Sequence, residues 1–261
     1  MYEHHETSIL NVVNHFKQNP AVETLLLAGS LAHGFGEAAS DVDILIVLSE
    51  PAYRERLTYG QMQFFSQELC TYPEGYVDGK YISRAYLNQV AEKGSDPARF
   101  AFEGAQVLFS KDPTIQNTLA AIVRYPLEEK AARMKRFYAQ FEAWYWYSGE
   151  AFKRNNPYLL GMALNKVVLF GGRLILTHNE QLYPYHKWFL KVLEQAPEKP
   201  ESLMAQITTL YQIPSRENLQ KFYETVKGFR DWGLLEAGWS GQFMIDSELN
   251  WLTGTTPVDD L

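Results

Sequence analysis

Cysteine is almost missing from this chain. Cys70 stands alone among 261 residues, so no intrachain disulfide forms and a disulfide-stapled scaffold is excluded. No His/Cys spacing suggests a zinc site. Basic residues are in deficit as well, 24 Lys and Arg against 31 Asp and Glu, a formal charge of −7. A general nucleic-acid binder needs a basic face to displace counterions, and this balance argues against one. Long apolar runs are scarce. The longest, 166–178, is interrupted by Gly171, Gly172 and Arg173, and reads as too short and too polar to span a bilayer. The N-terminus, MYEHHETSIL, lacks a basic stretch followed by an apolar one, so a cytoplasmic protein is expected. Internal repeats and low-complexity tracts are also missing.

What remains is a chain with 46% hydrophobic residues, enough for a real core. Its charge is unevenly placed. Residues 1–118 hold 8 basic and 15 acidic residues, whereas 119–261 hold 16 of each, so the whole excess sits in the first half. Pattern changes with charge. The first half alternates helix and strand. Thr7 or Ser8 caps a helix ending at Asn19-Pro20, Thr24–Ala28 and Val42–Leu48 read as buried strands, and Tyr76–Ser83 and Gln106–Ser110 as two more. Helices are expected over 54–69 and 84–93. Beyond about residue 112 the spacing is helical, with segments at 127–154, 158–177, 185–195, 202–211 and 217–232, then an irregular aromatic tail from Gly238. The expectation is an α+β architecture: a small mixed-sheet domain over 1–115 and an all-helical bundle over 116–261.

The chemistry concentrates in Leu27–Leu48, LAGSLAHGFGEAASDVDILIVL. A strand delivers Gly29-Ser30, a glycine-containing loop follows, and Asp41-Val42-Asp43 opens the next strand. Residues i and i+2 of a strand share a face, so Asp41 and Asp43 project together. Two adjacent carboxylates repel unless a cation lies between them, and oxygen ligands of this kind suit Mg²⁺. Gly29 permits close approach of backbone to a phosphate oxygen, and Ser30 offers it a hydroxyl and an N–H. A third carboxylate is expected on a neighbouring strand, and Asp78 in YVDGKYIS is the best candidate. It would complete a two-metal site or accept the proton of an attacking hydroxyl. Its Asp-Gly dipeptide also suits a hairpin turn. Lys166 interrupts an apolar helix in ALNKVVLFGG and is the first choice for a cation meeting a leaving pyrophosphate, with Asn165 beside it for the nucleotide. A snorkelling surface lysine is the alternative.

Gly29-Ser30, ten residues, then Asp41-Val42-Asp43 and an apolar strand resembles the nucleotidyltransferase superfamily of DNA polymerase beta. Within it the pattern is most similar to small bacterial members, the minimal and the antibiotic-modifying (kanamycin-type) enzymes. The motif covers 24–48, and Asp78 and the VLFS-Lys-Asp segment extend the resemblance to about residue 112. The helical half is similar to the second domain of kanamycin-type enzymes only in size and character. The resemblance implies that Gly29 and Ser30 hold a triphosphate, that Asp41 and Asp43 bind Mg²⁺, two ions in the usual arrangement, and that Asp78 is the third carboxylate. It implies transfer of a nucleoside monophosphate from an NTP, ATP by preference, to a hydroxyl, releasing pyrophosphate. An aminoglycoside or lincosamide acceptor rests on this analogy alone. In kanamycin-type enzymes a glutamate of the helical domain acts as base; here Glu142 and Glu150 lie in the corresponding helix without a matching local motif. A non-catalytic or protein-modifying module, acting as an antitoxin or regulatory partner, is the rival reading.

Other residues read blandly beside these. His4 and His5 sit in a frayed, exposed terminus; His33 serves a phosphate or a loop surface; His186 lies among aromatics in a structural role. Phe137, Tyr138, Phe141, Trp144, Tyr145, Trp146 and Tyr147 crowd one helix, mostly as packing, with a nucleobase, a sugar acceptor or a homodimer contact open to the rest.

Overall fold

The computed structural model describes residues 1–233, 238–254 and 258–259. It is a mixed-sheet unit followed by a helical one, the α+β arrangement expected, and its contacts divide at Arg124/Tyr125.

The first unit runs α1 (Glu3–Lys17), β1 (Val22–Leu27), α2 (Gly29–Ala32), β2 (Val42–Leu48), α3 (Glu50–Thr58), β3 (Gln63–Ser66), β4 (Val77–Ser83), α4 (Arg84–Lys93), α5 (Asp96–Phe100), β5 (Gln106–Ser110) and α6 (Ile115–Ile122). The five strands lie in the order β3-β4-β2-β1-β5. Only β2 and β4 are parallel. Alternation along each strand sorts residues to two faces. Leu25, Leu27, Ile44, Ile46, Leu48 and Val77 pack on one face with Val12 and Phe16 of α1. Leu26, Val47 and Ile82 pack on the other with Leu87 and Val90 of α4 and Leu119 and Ile122 of α6. Each such side chain, fully buried, contributes about 1.5–3 kcal/mol.

Two expectations change here. The helix expected over 54–69 is α3 followed by β3. Gly60 adopts φ +68° just after α3, and none of that helix is buried, so nothing carries it further. By its contacts the chain divides after Arg124, which leaves α6 with the sheet. α6 is tied back by Arg84, which donates to Thr114 and Thr118 Oγ1, and by the buried Arg99, which donates to the carbonyls of Ile122 and Ala91. Asp78 lies inside β4, so Asp-Gly makes no turn.

The second unit begins with a 3₁₀ turn (Leu127–Glu129), then α7 (Lys130–Lys153), α8 (Pro157–His178), α9 (Phe189–Gln195), α10 (Leu203–Gln212), α11 (Arg216–Phe229), α12 (Gly238–Ser247) and a last turn at Asn250–Leu252. Asn156 caps α8, accepting from the Leu159 N–H. At 22 residues α8 is long and apolar enough to cross a membrane by length and composition, more than the 166–178 stretch suggested, yet two thirds of its most apolar window is buried within the protein. It is the core helix of its unit. Gly171 and Gly172 let its neighbours close in: a Cβ at Gly172 would fall 2.3 Å from Phe189 Cζ. Arg173, fully buried, lies 4.3 Å from the ring centroids of both Phe137 and Tyr183 and donates to the Asp259 carbonyl. The helix expected from 185 starts at Phe189, because Tyr185 sits at φ +66°. The tail expected to be irregular from Gly238 forms α12. The last residues of the expected bundle, 255–257 and 260–261, lie outside the described residues.

Candidate functional site

β1 stops at Leu27, and Ala28 still donates its N–H to the Asp43 carbonyl. Gly29 then turns the chain with φ +64°. Glycine is required twice over, because a Cβ there would fall 1.8 Å from Asp43 Oδ2. The Asp43 carboxylate therefore lies directly against the Gly29 backbone. Ser30 follows, only 6% exposed, and its buried hydroxyl has no hydrogen-bond partner among the described residues. A buried hydroxyl left unsatisfied costs about 1–3 kcal/mol, so this one marks a place where a partner belongs.

The loop that returns to Asp41 is held from outside. His5 Nε2 and the Tyr72 hydroxyl both donate to the Ser40 carbonyl, at 3.0 and 2.6 Å, and His4 Nε2 donates to the Ala38 carbonyl at 2.9 Å. The two histidines are thus not in a frayed terminus. α1 starts at Glu3, His5 is fully buried, and its ring meets Tyr72 edge-on. Burial and the neighbouring His4 pull the His5 pKa below its ordinary value. His33 stacks on Phe100 at 4.5 Å, half-buried, and burial pulls its pKa down too. His186 accepts or donates at Nδ1 with the Tyr183 hydroxyl, the structural role expected.

Asp41 and Asp43 precede and enter β2, two residues apart. Parallel pairing sets Asp43 level with Asp78 on β4. The three expected carboxylates thereby share the sheet face that α4 and α6 cover farther along. Neutral donors hold Asp41 and Asp78. Gln63 Nε2 donates to Asp78 Oδ1 at 3.0 Å. The Tyr76 hydroxyl meets Asp41, and the negative charges of Asp41, then Asp43 and Asp78, hold it protonated above its usual range. Neither Asp41 nor Asp78 forms an ion pair among the described residues. Nor, among those residues, do three His, Cys, Asp or Glu side chains close into a ready metal-binding group. Like charges without a cation between them repel.

Four residues at this face were not anticipated: Gln63 and Phe65 on β3, and Tyr76 and Lys80 flanking Asp78. Phe65 pairs with Asp78 and Gln63 with Lys80. Counting two residues either way from Asp78 finds Tyr76 and Lys80. Gln63 and Phe65 become visible only once Gly60 is read as ending the helix.

Lys166 and Asn165 lie on α8. Lys166 Nζ pairs with Asp259 Oδ1 at 2.6 Å, and Asn165 Oδ1 accepts from the Tyr211 hydroxyl at 3.0 Å. Both line a cavity of about 460 Å³ in the helical unit, with Met162, Leu169 and His186. Glu142 is not a solvated residue: it accepts from Tyr138, Tyr223 and Lys227, at 2.5, 2.8 and 3.0 Å. Glu150 makes helix-surface pairs with Lys153 and Arg154.

No curated protein matches the chain. Among solved structures it is similar to a nucleotidyltransferase-like protein from Exiguobacterium sibiricum 255-15, with 9% identity, 95% of this chain and 79% of that one covered, and a TM-score of 0.48. Residues 9–95 match the nucleotidyltransferase domain family, a stretch that runs from α1 to α4 and contains Gly29, Ser30, Asp41, Asp43 and Asp78.

Proposed function

We propose that the protein is a Mg²⁺-dependent nucleotidyltransferase that moves a nucleoside monophosphate, AMP from ATP by preference, to a hydroxyl of a small molecule such as an aminoglycoside-type antibiotic. One observation carries this reading. The Asp43 carboxylate lies against the Gly29 backbone, beside the partnerless Ser30 hydroxyl and level with Asp78. A polyanion and a divalent cation are the two species whose chemistry suits such a place.

The residues fit Mg²⁺. Their donors are all carboxylate oxygens, and Asp41 and Asp78 form no ion pair among the described residues. Asp41, Asp43 and Asp78 would hold the metal, two ions by the resemblance above. When bound, it neutralises the triphosphate and stabilises charge on the attacking and leaving oxygens. The chain's own residues do the rest. Gly29 leaves room for a phosphate oxygen at the backbone, and Ser30 donates its unused hydroxyl to it. Asp78, oriented by Gln63, accepts the proton of the acceptor hydroxyl. A bond forms between that oxygen and the α-phosphorus, and the bond from the α-phosphorus to the bridging oxygen breaks. Pyrophosphate leaves with the electron pair.

The test is incubation with Mg²⁺, α-labelled ATP and a panel of hydroxyl acceptors. Label should appear on an acceptor, with pyrophosphate released. Asp41→Ala and Asp43→Ala should each abolish transfer while the thermal unfolding profile stays intact. Transfer retained in either variant would overturn the metal assignment. A second reading, a regulatory module that binds a protein, draws on the exposed Met244, Ile245, Trp251 and Leu252 at the end of the helical unit. A stoichiometric co-purifying protein together with no NTP turnover would favour it.

A further inference from the structure

The acidic row does not end at Asp78. On the next strand stands Phe65, 58% exposed, in register with Asp78 and stacked on Tyr76 with centroids 5.4 Å apart and planes 30° apart. A lone exposed phenylalanine needs no explanation. This one is backed by a second ring, lies beside the Asp78 carboxylate, and is flanked by polar groups with capacity to spare. Gln63 uses one amide N–H on Asp78 and keeps the other and its Oε1, and Lys80 is exposed opposite Gln63.

Resting on the nucleotidyltransferase reading, the direction of the reaction says what such a pair is for. In phosphoryl-group transfer the attacking and leaving oxygens lie roughly in line. Gly29 and Ser30, at the end of β1, take the phosphates that leave. Crossing the sheet from β1 meets β2 with Asp43, then β4 with Asp78, then β3 with Phe65. The acceptor therefore enters from the β3 side. Strands are spaced about 4.8 Å apart, so Phe65 lies about 10 Å across the sheet from Asp43, room for one ring beyond the attacked phosphorus.

We propose that the Phe65–Tyr76 pair is the acceptor subsite, and that the acceptor is a small molecule whose hydroxyl is borne on or beside a ring, aromatic or sugar. The ring lies flat on Phe65, its hydroxyl at Asp78, and Gln63 and Lys80 meet its other polar groups. The proton of that hydroxyl passes to Asp78 as its oxygen bonds the α-phosphorus and pyrophosphate departs.

Binding tests this separately from turnover. The full-length protein, saturated with Mg²⁺ and a non-hydrolysable ATP analogue, is titrated with kanamycin, lincomycin, uridine and an extended serine-containing peptide. The same is done for Phe65→Ala and Phe65→Tyr, with thermal unfolding as the check on folding. At least one ring compound should bind, about tenfold or more weaker in Phe65→Ala and nearly unchanged in Phe65→Tyr, the usual scale for loss of an aromatic stacking partner. The affinity for the ATP analogue should stay the same in all three proteins. If the analogue binds but no ring compound does, or if Phe65→Ala binds it equally well, the subsite is wrong and the nucleotidyltransferase reading stands. Binding of the peptide alone would also overturn it, in favour of a strand pairing along the outer edge of β3. A wild-type protein that binds no ATP analogue with Mg²⁺ overturns the nucleotidyltransferase reading, and the subsite falls with it.

Discussion

The acidic groups of the helical unit and those at one end of the sheet are treated in opposite ways. In the helical unit acidic groups meet cations: Asp246, nearly buried, pairs with Arg136 at 2.7 Å, Glu180 with Lys130 at 2.7 Å, and Glu142 with Lys227 at 3.0 Å. Its 15 basic and 16 acidic residues from Tyr125 onward nearly balance. In the sheet unit Asp41 and Asp78 face a tyrosine and a glutamine, and the buried Ser30 hydroxyl has no hydrogen-bond partner among the described residues. The helical unit pairs these charges from within. At one end of one sheet face the sheet unit leaves Asp41 and Asp78 without ion pairs among the described residues, and that is where the proposed Mg²⁺ and triphosphate would bind.

Substitutions that break this contrast should have unequal effects. The largest belongs to the Gly29–Asp43 contact. Gly29→Ala would drive a Cβ into the Asp43 carboxylate and strain a φ of +64°, so nucleotidyl transfer should fall by about three orders of magnitude, the scale of a metal-held charge in the transition state. Steady-state pyrophosphate release reads it, and a fall below tenfold would contradict the geometry. Next comes the helical unit. Asp246→Ala leaves Arg136 without its carboxylate, and unfolding in denaturant should show a loss of about 2–4 kcal/mol with Mg²⁺–ATP affinity unchanged. Ser30→Ala inverts that pattern. Removing an unpaired buried hydroxyl should leave stability equal or slightly raised, while kcat/KM drops about tenfold through the lost phosphate contact. A clear loss of stability would mean that the hydroxyl already has a partner.

The smallest effect is the response to acid. The pKa values of His5 and His33 are both pulled below the ordinary 6.5, chiefly by burial. The unfolded chain then binds protons more readily than the folded one. Their contribution is complete above about pH 6.5 and is lost as pH falls through the folded values. His5 is the more informative of the two, since His4, Tyr2 and Tyr72 surround it and its Nε2 holds the peptide before Asp41. The melting temperature should drop a few degrees between pH 7.5 and 5.5, and less in His5→Gln. An equal drop in both would remove His5 from the account.

Much of this was legible from spacing. Val42–Leu48 reads as a strand because it is β-branched and uninterrupted, and Asp41 and Asp43 share a face by arithmetic alone. Gly29 could be read as permissive, but its closeness to Asp43 could not, since that contact joins two strands. Asp78 was chosen by residue type, and only the parallel register of β2 and β4 sets it level with Asp43. Phe65 and Gln63 were hidden because 54–69 has enough helix formers to look like one helix. His4 and His5 looked frayed because their partners, Ala38 and Ser40, are more than thirty residues away. Local pattern reveals what one element does, and it is silent where the site depends on two elements meeting.

The central claim, that the sheet unit holds Mg²⁺ and a nucleoside triphosphate between Gly29-Ser30 and the aspartates, is tested most directly by calorimetric titration of ATP into the wild type and Asp43→Asn, with and without Mg²⁺. The account predicts wild-type binding that requires Mg²⁺ and is at least about tenfold weaker in Asp43→Asn, a difference of about 1.4 kcal/mol. Equal affinity in the two proteins, or binding that ignores Mg²⁺, would contradict it.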